Sequence, residues 1–251
     1  EVPTPTPTIQ EVERLLEITN TDVQSNEGRL VRISGNGKVF GVVGDSYVKL
    51  YRETETKSWT ELGSTIGGYG SSMAINHTGT IIVVSDTLFD NNRGKVSIFE
   101  YSGTGNWIKR GTDIIGDGHF DEFGKSVSIN KSGDIISVGS SGGNGNVSCY
   151  KFNGDDWNLF GNLIEGSADN SGIGDTVRLD EQGILLVTSS PSVEFGKVFI
   201  YQYNGSVWEL LQTFIPVGDT NSFGKVVELS GDAKTISIGD STNLISTYKF
   251  N

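Results

Sequence analysis

Four tryptophans, Trp59, Trp107, Trp157 and Trp208, stand 48, 50 and 51 residues apart along the chain, and this near-constant spacing limits the fold more than any other feature. A glycine marks the same phase of each copy: Phe123-Gly124 and Phe223-Gly224, Ile173-Gly174 midway between them, and Tyr69-Gly70 and Glu27-Gly28 towards the N-terminus. A repeat of this length is one supersecondary unit copied several times, and each copy must bury its apolar faces against its neighbours.

The third copy shows the internal grammar. Phe123 to Ile129 alternates with the period of a strand. A turn through Asn130-Lys131-Ser132-Gly133-Asp134 leads to the β-branched run Ile135 to Gly139. A Gly-rich loop from Ser140 to Asn146 leads to a third strand, Val147 to Phe152, and Asn153-Gly154-Asp155-Asp156 turns the chain into a fourth, Trp157 to Phe160. Four consecutive antiparallel strands per repeat make a propeller blade. The first turn recurs at Ser34-Gly35, Asn76-His77, Asp180-Glu181 and Ser230-Gly231, and no segment sustains a helical period.

The chain ends settle the blade count. Tyr248-Lys249-Phe250-Asn251 matches Tyr150-Lys151-Phe152-Asn153, so the last copy stops after its third strand, and Glu13 to Ile18 resembles Trp208 to Thr213. The sequence therefore predicts an all-β, five-bladed propeller of four-stranded antiparallel blades, closed by an N-terminal strand that completes the last blade. The expected blades are 28–66, 70–115, 124–164, 174–215 and 224–251 with 10–18, behind a Pro/Thr linker at 1–9. Gly124, Ser126 and Ser128 meet the demand for small residues where the sheets converge. The tryptophans are expected as packing residues where the wedge opens, or alternatively as partly exposed rings that stack on sugars.

Phe-Gly-x-Ser-Val, a Gly turn, Ile-Ser-Val-Gly, Gly-x-Val-x-x-Tyr, then Trp and a Gly-Asp loop together resemble FG-GAP-type propeller repeats, as in integrin α-subunit heads and surface proteins of algae, protists and large viruses. The resemblance covers everything after the Pro-Thr tract. It implies an adhesion or interaction module binding a protein or glycan, displayed at a cell or virion surface. Many such repeats hold Ca²⁺ in an Asp-rich loop that converges several oxygens. None of the five turns has that run, so no metal or cofactor is expected. The richest oxygen cluster is Asp113, Asp117, Asp121 and Glu122, read as a solvated acidic loop.

A net charge of −12 argues against nucleic acid or an anionic membrane as partner, because both call for clustered Lys and Arg. Cys149 is the only cysteine, so no intrachain disulfide forms, and no stretch of about 18 apolar residues offers a membrane span. Opening at Glu1-Val2-Pro3, the chain reads as a mature or excised fragment, and Pro3-Thr4-Pro5-Thr6-Pro7-Thr8 reads as a semi-rigid spacer to a larger chain or assembly. Four N-x-Ser/Thr sequons, at Asn76, Asn130, Asn146 and Asn204, add little in so Ser/Thr-rich a chain.

No catalytic residues are assigned. His77 and His119 are the only histidines and fall in a turn and an inter-blade loop, where both are expected to face solvent, and Cys149 is expected as a small buried apolar residue. No Walker loop or dinucleotide fingerprint is present. One constellation stands out. The position after the repeat glycine holds Arg29, Ser71, Lys125, Asp175 and Lys225, a mostly basic ring at one tunnel mouth of an acidic protein. It suits an anion such as sulfate, a carboxylate or an acidic sugar; the plainer alternative pairs Asp175 with a neighbouring lysine and turns the rest to water. The leading expectation is a non-enzymatic binding module. A lectin with inter-blade sugar sites, a structural cap or spacer, and a carbohydrate-active enzyme follow in that order.

Overall fold

The computed structural model describes residues 29–167, 172–192, 195–216, 222–241 and 245–250, and it forms a five-bladed β-propeller. Blade one contains β1 (Leu30–Ile33), β2 (Val39–Val43), β3 (Tyr47–Glu53), β4 (Trp59–Glu61) and the short β5 (Ile66–Gly67). Blade two contains β6 (Met73–Ile75), β7 (Ile81–Asp86), β8 (Lys95–Tyr101), β9 (Trp107–Lys109) and β10 (Ile114–Ile115), with a four-residue turn α1 (Phe89–Asn92) between β7 and β8. Blade three contains β11 (Ser126–Ile129), β12 (Ile135–Ser140), β13 (Asn146–Phe152), β14 (Trp157–Leu159) and β15 (Ile164–Glu165). Blade four contains β16 (Thr176–Leu179), β17 (Leu185–Ser190), β18 (Lys197–Tyr203) and β19 (Trp208–Phe214), and blade five shows β20 (Val226–Leu229), β21 (Thr235–Gly239) and β22 (Ile245–Lys249). All the strand pairings within the blades are antiparallel. The strand expected from Glu13 to Ile18, and the Pro/Thr linker, lie outside the described residues.

Consecutive residues of the second strands face opposite interfaces. Ile82 and Val84 pack towards blade one with Met73 and Leu50, whereas Ile81 and Val83 pack towards blade three with Val127 and Ile136. Likewise Leu186 joins the core between blades three and four, and Val187 the core between blades four and five. A strand covered on both faces carries no polar alternation, which is why Ile81-Ile82-Val83-Val84 and Ile135-Ile136 are unbroken β-branched runs. The apolar core is thus four clusters, one at each described blade interface.

Near the axis the sheets converge as expected. A Cβ on Gly139 would come within 2.1 Å of the Gly174 carbonyl of the next blade. Ser126 Oγ donates to that same carbonyl at 2.8 Å, Ser85 Oγ donates to the Gly124 carbonyl at 2.7 Å, and Ser128 Oγ accepts the Leu179 N–H at 3.0 Å. The small inner residues therefore do more than fit: they hydrogen-bond one blade to the next.

Two repeating devices organise the outer ring. In blade one to blade three the fourth strand breaks at Gly63, Gly111 and Gly161, with φ of 76°, 81° and 86°, and resumes as β5, β10 and β15. In blade four the corresponding position is Gln212, and β19 runs unbroken with a register shift opposite Ile200/Tyr201. Each break seats the following blade's tryptophan: a Cβ on Gly161 would meet Trp208 Cδ1 at 2.7 Å, and one on Gly111 would meet Trp157 Cδ1 at 2.8 Å. The indole N–H groups of Trp107, Trp157 and Trp208 donate to the carbonyls of Leu62, Arg110 and Phe160, at 2.9, 2.6 and 2.8 Å.

Candidate functional site

The innermost strands β1, β6, β11, β16 and β20 run side by side around the axis, so equivalent positions of the repeat face one another across a tunnel. Arg29, Ser71, Lys125, Asp175 and Lys225 all line one cavity of about 390 Å³. The ring read from the repeat is therefore a real constellation, with one residue from each blade. Its members are anchored differently. Arg29 Nη2 donates to the Gly70 carbonyl at 2.6 Å, and Ser71 Oγ shares a hydrogen bond with Thr87 Oγ1 at 2.9 Å. Lys125 Nζ donates to Glu122 Oε2 at 3.1 Å, and Lys225 Nζ lies 4.0 Å from Asp175 Oδ2. The hydrogen bond from Lys125 outweighs burial and, with a smaller contribution from Ser141, holds the Glu122 carboxyl below its usual range.

Three residues further along the same strands lies a second ring, Arg32, Ala74, Ser128, Arg178 and Glu228. Arg32, Arg178 and Glu228 line both the mouth cavity and a second one of about 370 Å³, which Ala74 and Ser128 also line. They form the waist between the two. Arg178 grips Glu228 in a two-pronged pair, Nη2 to Oε1 at 2.8 Å and Nε to Oε2 at 3.0 Å. This waist escaped sequence reasoning, although the alignment that gives the mouth ring also gives it. The available signal was charge in the middle of strands otherwise built from Val, Ile and Leu.

Three of the four tryptophans offer no face for stacking on a sugar. Trp107, Trp157 and Trp208 are only 8%, 8% and 4% exposed, because each ring closes over the preceding blade's glycine break. Trp59 is half-buried and packs edge-on against Phe40 at 4.9 Å.

The acidic loop does not converge. Asp113 is gripped by Lys109 Nζ, 2.6 Å from both carboxylate oxygens, and accepts from Ser97. Asp121 Oδ2 accepts the Gly118 N–H at 2.8 Å, Glu122 turns to Lys125, and Asp117 is exposed. No group of three or more metal-ligating side chains occurs among the described residues. His77 is half-buried, its backbone part of a relay between turns, and exposed His119 places Nδ1 3.2 Å from the Asp90 carbonyl. Cys149 is buried, and burial pushes its thiol far above the usual range, which disfavours the thiolate.

Backbone strain gathers beside the mouth. Asp90, Asn91, Asn92, Phe120 and Glu122 all hold positive φ, between 48° and 68°, in two facing loops, one between β7 and β8 and the other joining blade two to blade three. Phe120 N–H donates to the Asn91 carbonyl at 3.3 Å and Glu122 N–H to the Asn92 carbonyl at 2.9 Å, so the two strained loops brace each other. Leu88 and Phe120 are left exposed there. Non-glycine residues in this region cost about 1–3 kcal/mol each and persist where surrounding structure holds them.

No family model matches the sequence, and no curated protein matches it. Among solved structures, the β-propeller domain of Cps50 (Swd1) from Myceliophteria thermophila aligns with 93% of this chain and 68% of its own, with a TM-score of 0.62 and 11% identity. That likeness shows the β-propeller fold.

Proposed function

We propose that the domain is a non-enzymatic binding module that presents its tunnel mouth to an acidic group on a protein or glycan partner. The observation that carries this reading is the convergence of Arg29, Ser71, Lys125, Asp175 and Lys225, from five blades, on one cavity in a chain of net charge −12. Charge segregated against the overall sign is what a steering site for anions requires. The braced loops with exposed Leu88 and Phe120 add an apolar contact surface beside it. Burial of three indoles weighs against the lectin reading with sugar pockets at the tryptophans. Display at a cell or virion surface, as the tip of a longer chain, rests on the resemblance to FG-GAP-type repeats and on the Pro/Thr tract.

The test is binding of the immobilised domain to sulfated, carboxylated and neutral polysaccharides and to acidic and neutral peptides. We expect binding confined to acidic ligands, weakening steeply as salt screens it. A Lys125→Gln/Lys225→Gln pair of substitutions should lower the affinity by about tenfold or more. Equal binding of neutral and acidic ligands, or an indifferent double variant, would refute the reading, and turnover of any polysaccharide would move the protein to the enzymes.

A further inference from the structure

We propose that the waist of the tunnel is a binding site for a small oxyanion, of the sulfate, phosphate or carboxylate kind, held between Arg32 and Arg178 on the side where Ala74 and Ser128 leave room. The inference is independent of any partner at the mouth, since it uses the second ring of residues and not the first.

Three observations support it. The first is the charge count. At the waist itself Arg32 and Arg178 stand against Glu228, an excess of one positive charge. The low-dielectric walls of a narrow passage concentrate that field. The second is how the charges are shared. Glu228 is committed to Arg178 through both oxygens, and Arg178 also donates through Nη1 to the Val177 carbonyl at 2.9 Å. Arg32 donates, among the described residues, only through Nη1 to the Val31 carbonyl at 3.1 Å. One guanidinium therefore keeps most of its planar fork of donors for a ligand, the geometry that suits a tetrahedral or planar oxyanion. Burial, then the positive charge of Arg178, lowers the Arg32 pKa from its ordinary value, and Glu228 only partly offsets this.

The third observation is space. Large side chains occupy this level in blades one, four and five, while blades two and three supply Ala74 and Ser128. Ser128 Oγ already accepts the Leu179 N–H, which leaves its own proton to donate. The cavity on that side, about 370 Å³, easily admits a sulfate-sized ion and its waters.

The experiment is a titration of the full chain with inorganic sulfate at constant ionic strength, following backbone amide shifts of the inner strands. We expect saturable shifts centred on Arg32, Ser128 and Arg178. Arg32→Gln should weaken the site by about tenfold, and Glu228→Gln should tighten it by several fold, because it frees Arg178. The opposite signs matter: a variant that merely loosened the fold would weaken binding in both cases. Lys225→Gln, at the mouth, should leave the waist affinity within about twofold, so failure here and failure of the mouth reading are distinguishable. Acetate and an acidic hexapeptide are titrated in parallel; response to the small ions alone identifies a free anion, and response to the peptide identifies a partner's inserted carboxylate. Shifts that never saturate with any of them, or two waist variants moving affinity in the same direction, would overturn the proposal.

Discussion

Asn130 shows how much one side chain contributes to a turn. Its Oδ1 accepts the N–H groups of Gly133, Asp134 and Ile135, at 3.0, 3.1 and 3.1 Å, closing the link from β11 to β12. The equivalent positions do the same with different chemistry: Ser34 Oγ accepts from Val39, Asn76 Oδ1 from Thr80 and Ile81, Asp180 Oδ1 from Ile184 and Leu185, and Ser230 Oγ from Lys234 and Thr235. We expect Asn130→Ala to destabilise by about 1–2 kcal/mol, because buried N–H groups lose their acceptor. Asn130→Ser should cost less, since Ser34 and Ser230 already fill this role in blades one and five; urea unfolding of the two variants checks the ordering. The turns themselves were legible from Gly and Asn. The clamp was not, because Ser, Asn and Asp differ as letters and share only an oxygen at the right reach.

Positive-φ glycines divide on the same scale. Gly196 has φ of 89°, and a Cβ there would meet the Phe223 carbonyl at 2.2 Å, whereas Gly103, with φ of 79°, has open space around it. Gly103→Ala should cost about 1 kcal/mol in backbone strain alone. Gly196→Ala should cost about 3 kcal/mol or more, because one backbone must move off another, and the two melting temperatures report the difference.

At the level of elements, strand order and the four-strand blade were readable because a strand covered on both faces leaves an unbroken β-branched run between turn residues. The division of the fourth strand was not, since pieces as short as Ile114–Ile115 and Ile164–Glu165 carry no period of their own. Trp107, Trp157 and Trp208 pack in the core, and their seat depends on the glycine four residues after the preceding blade's tryptophan. Gly161→Ala should therefore act across the interface: the new methyl would displace the Trp208 ring, and the N–H···O bond to Phe160 with it. A red-shifted tryptophan emission together with a fall of about 2–4 kcal/mol in stability is the expected outcome; an unchanged spectrum would show that the ring does not depend on that gap.

For the whole molecule, acid is the informative perturbation. Burial alone would raise the Asp113 carboxyl, but hydrogen bonds from Lys109 and Ser97 outweigh it and the pKa falls below the ordinary value. Burial is likewise outweighed at Asp134 by Ser132 and Asn130, and at Glu228 by Arg178, while Glu122 is lowered first by Lys125. Groups depressed in the folded state stabilise above the unfolded carboxylate pKa, about 4, and lose that contribution as pH falls through the folded values below it. The urea midpoint should therefore hold between about pH 7 and 5 and drop below about pH 4. A drop already at pH 6 would point to titration of other groups.

The succession of glycine and tryptophan also bears on how many blades such a ring can contain. After each of the first three blades, a gap awaits the next tryptophan; after the fourth, Gln212 stands where the glycine would be and β19 continues unbroken. A duplicated copy of blade three inserted behind blade two or behind itself would find a seat ready and present one in turn. The same copy placed behind blade four would find an unbroken strand and no glycine break to receive its indole. Growth of the array by duplication is thus favoured early in the chain and disfavoured late in it, by the lack of one glycine.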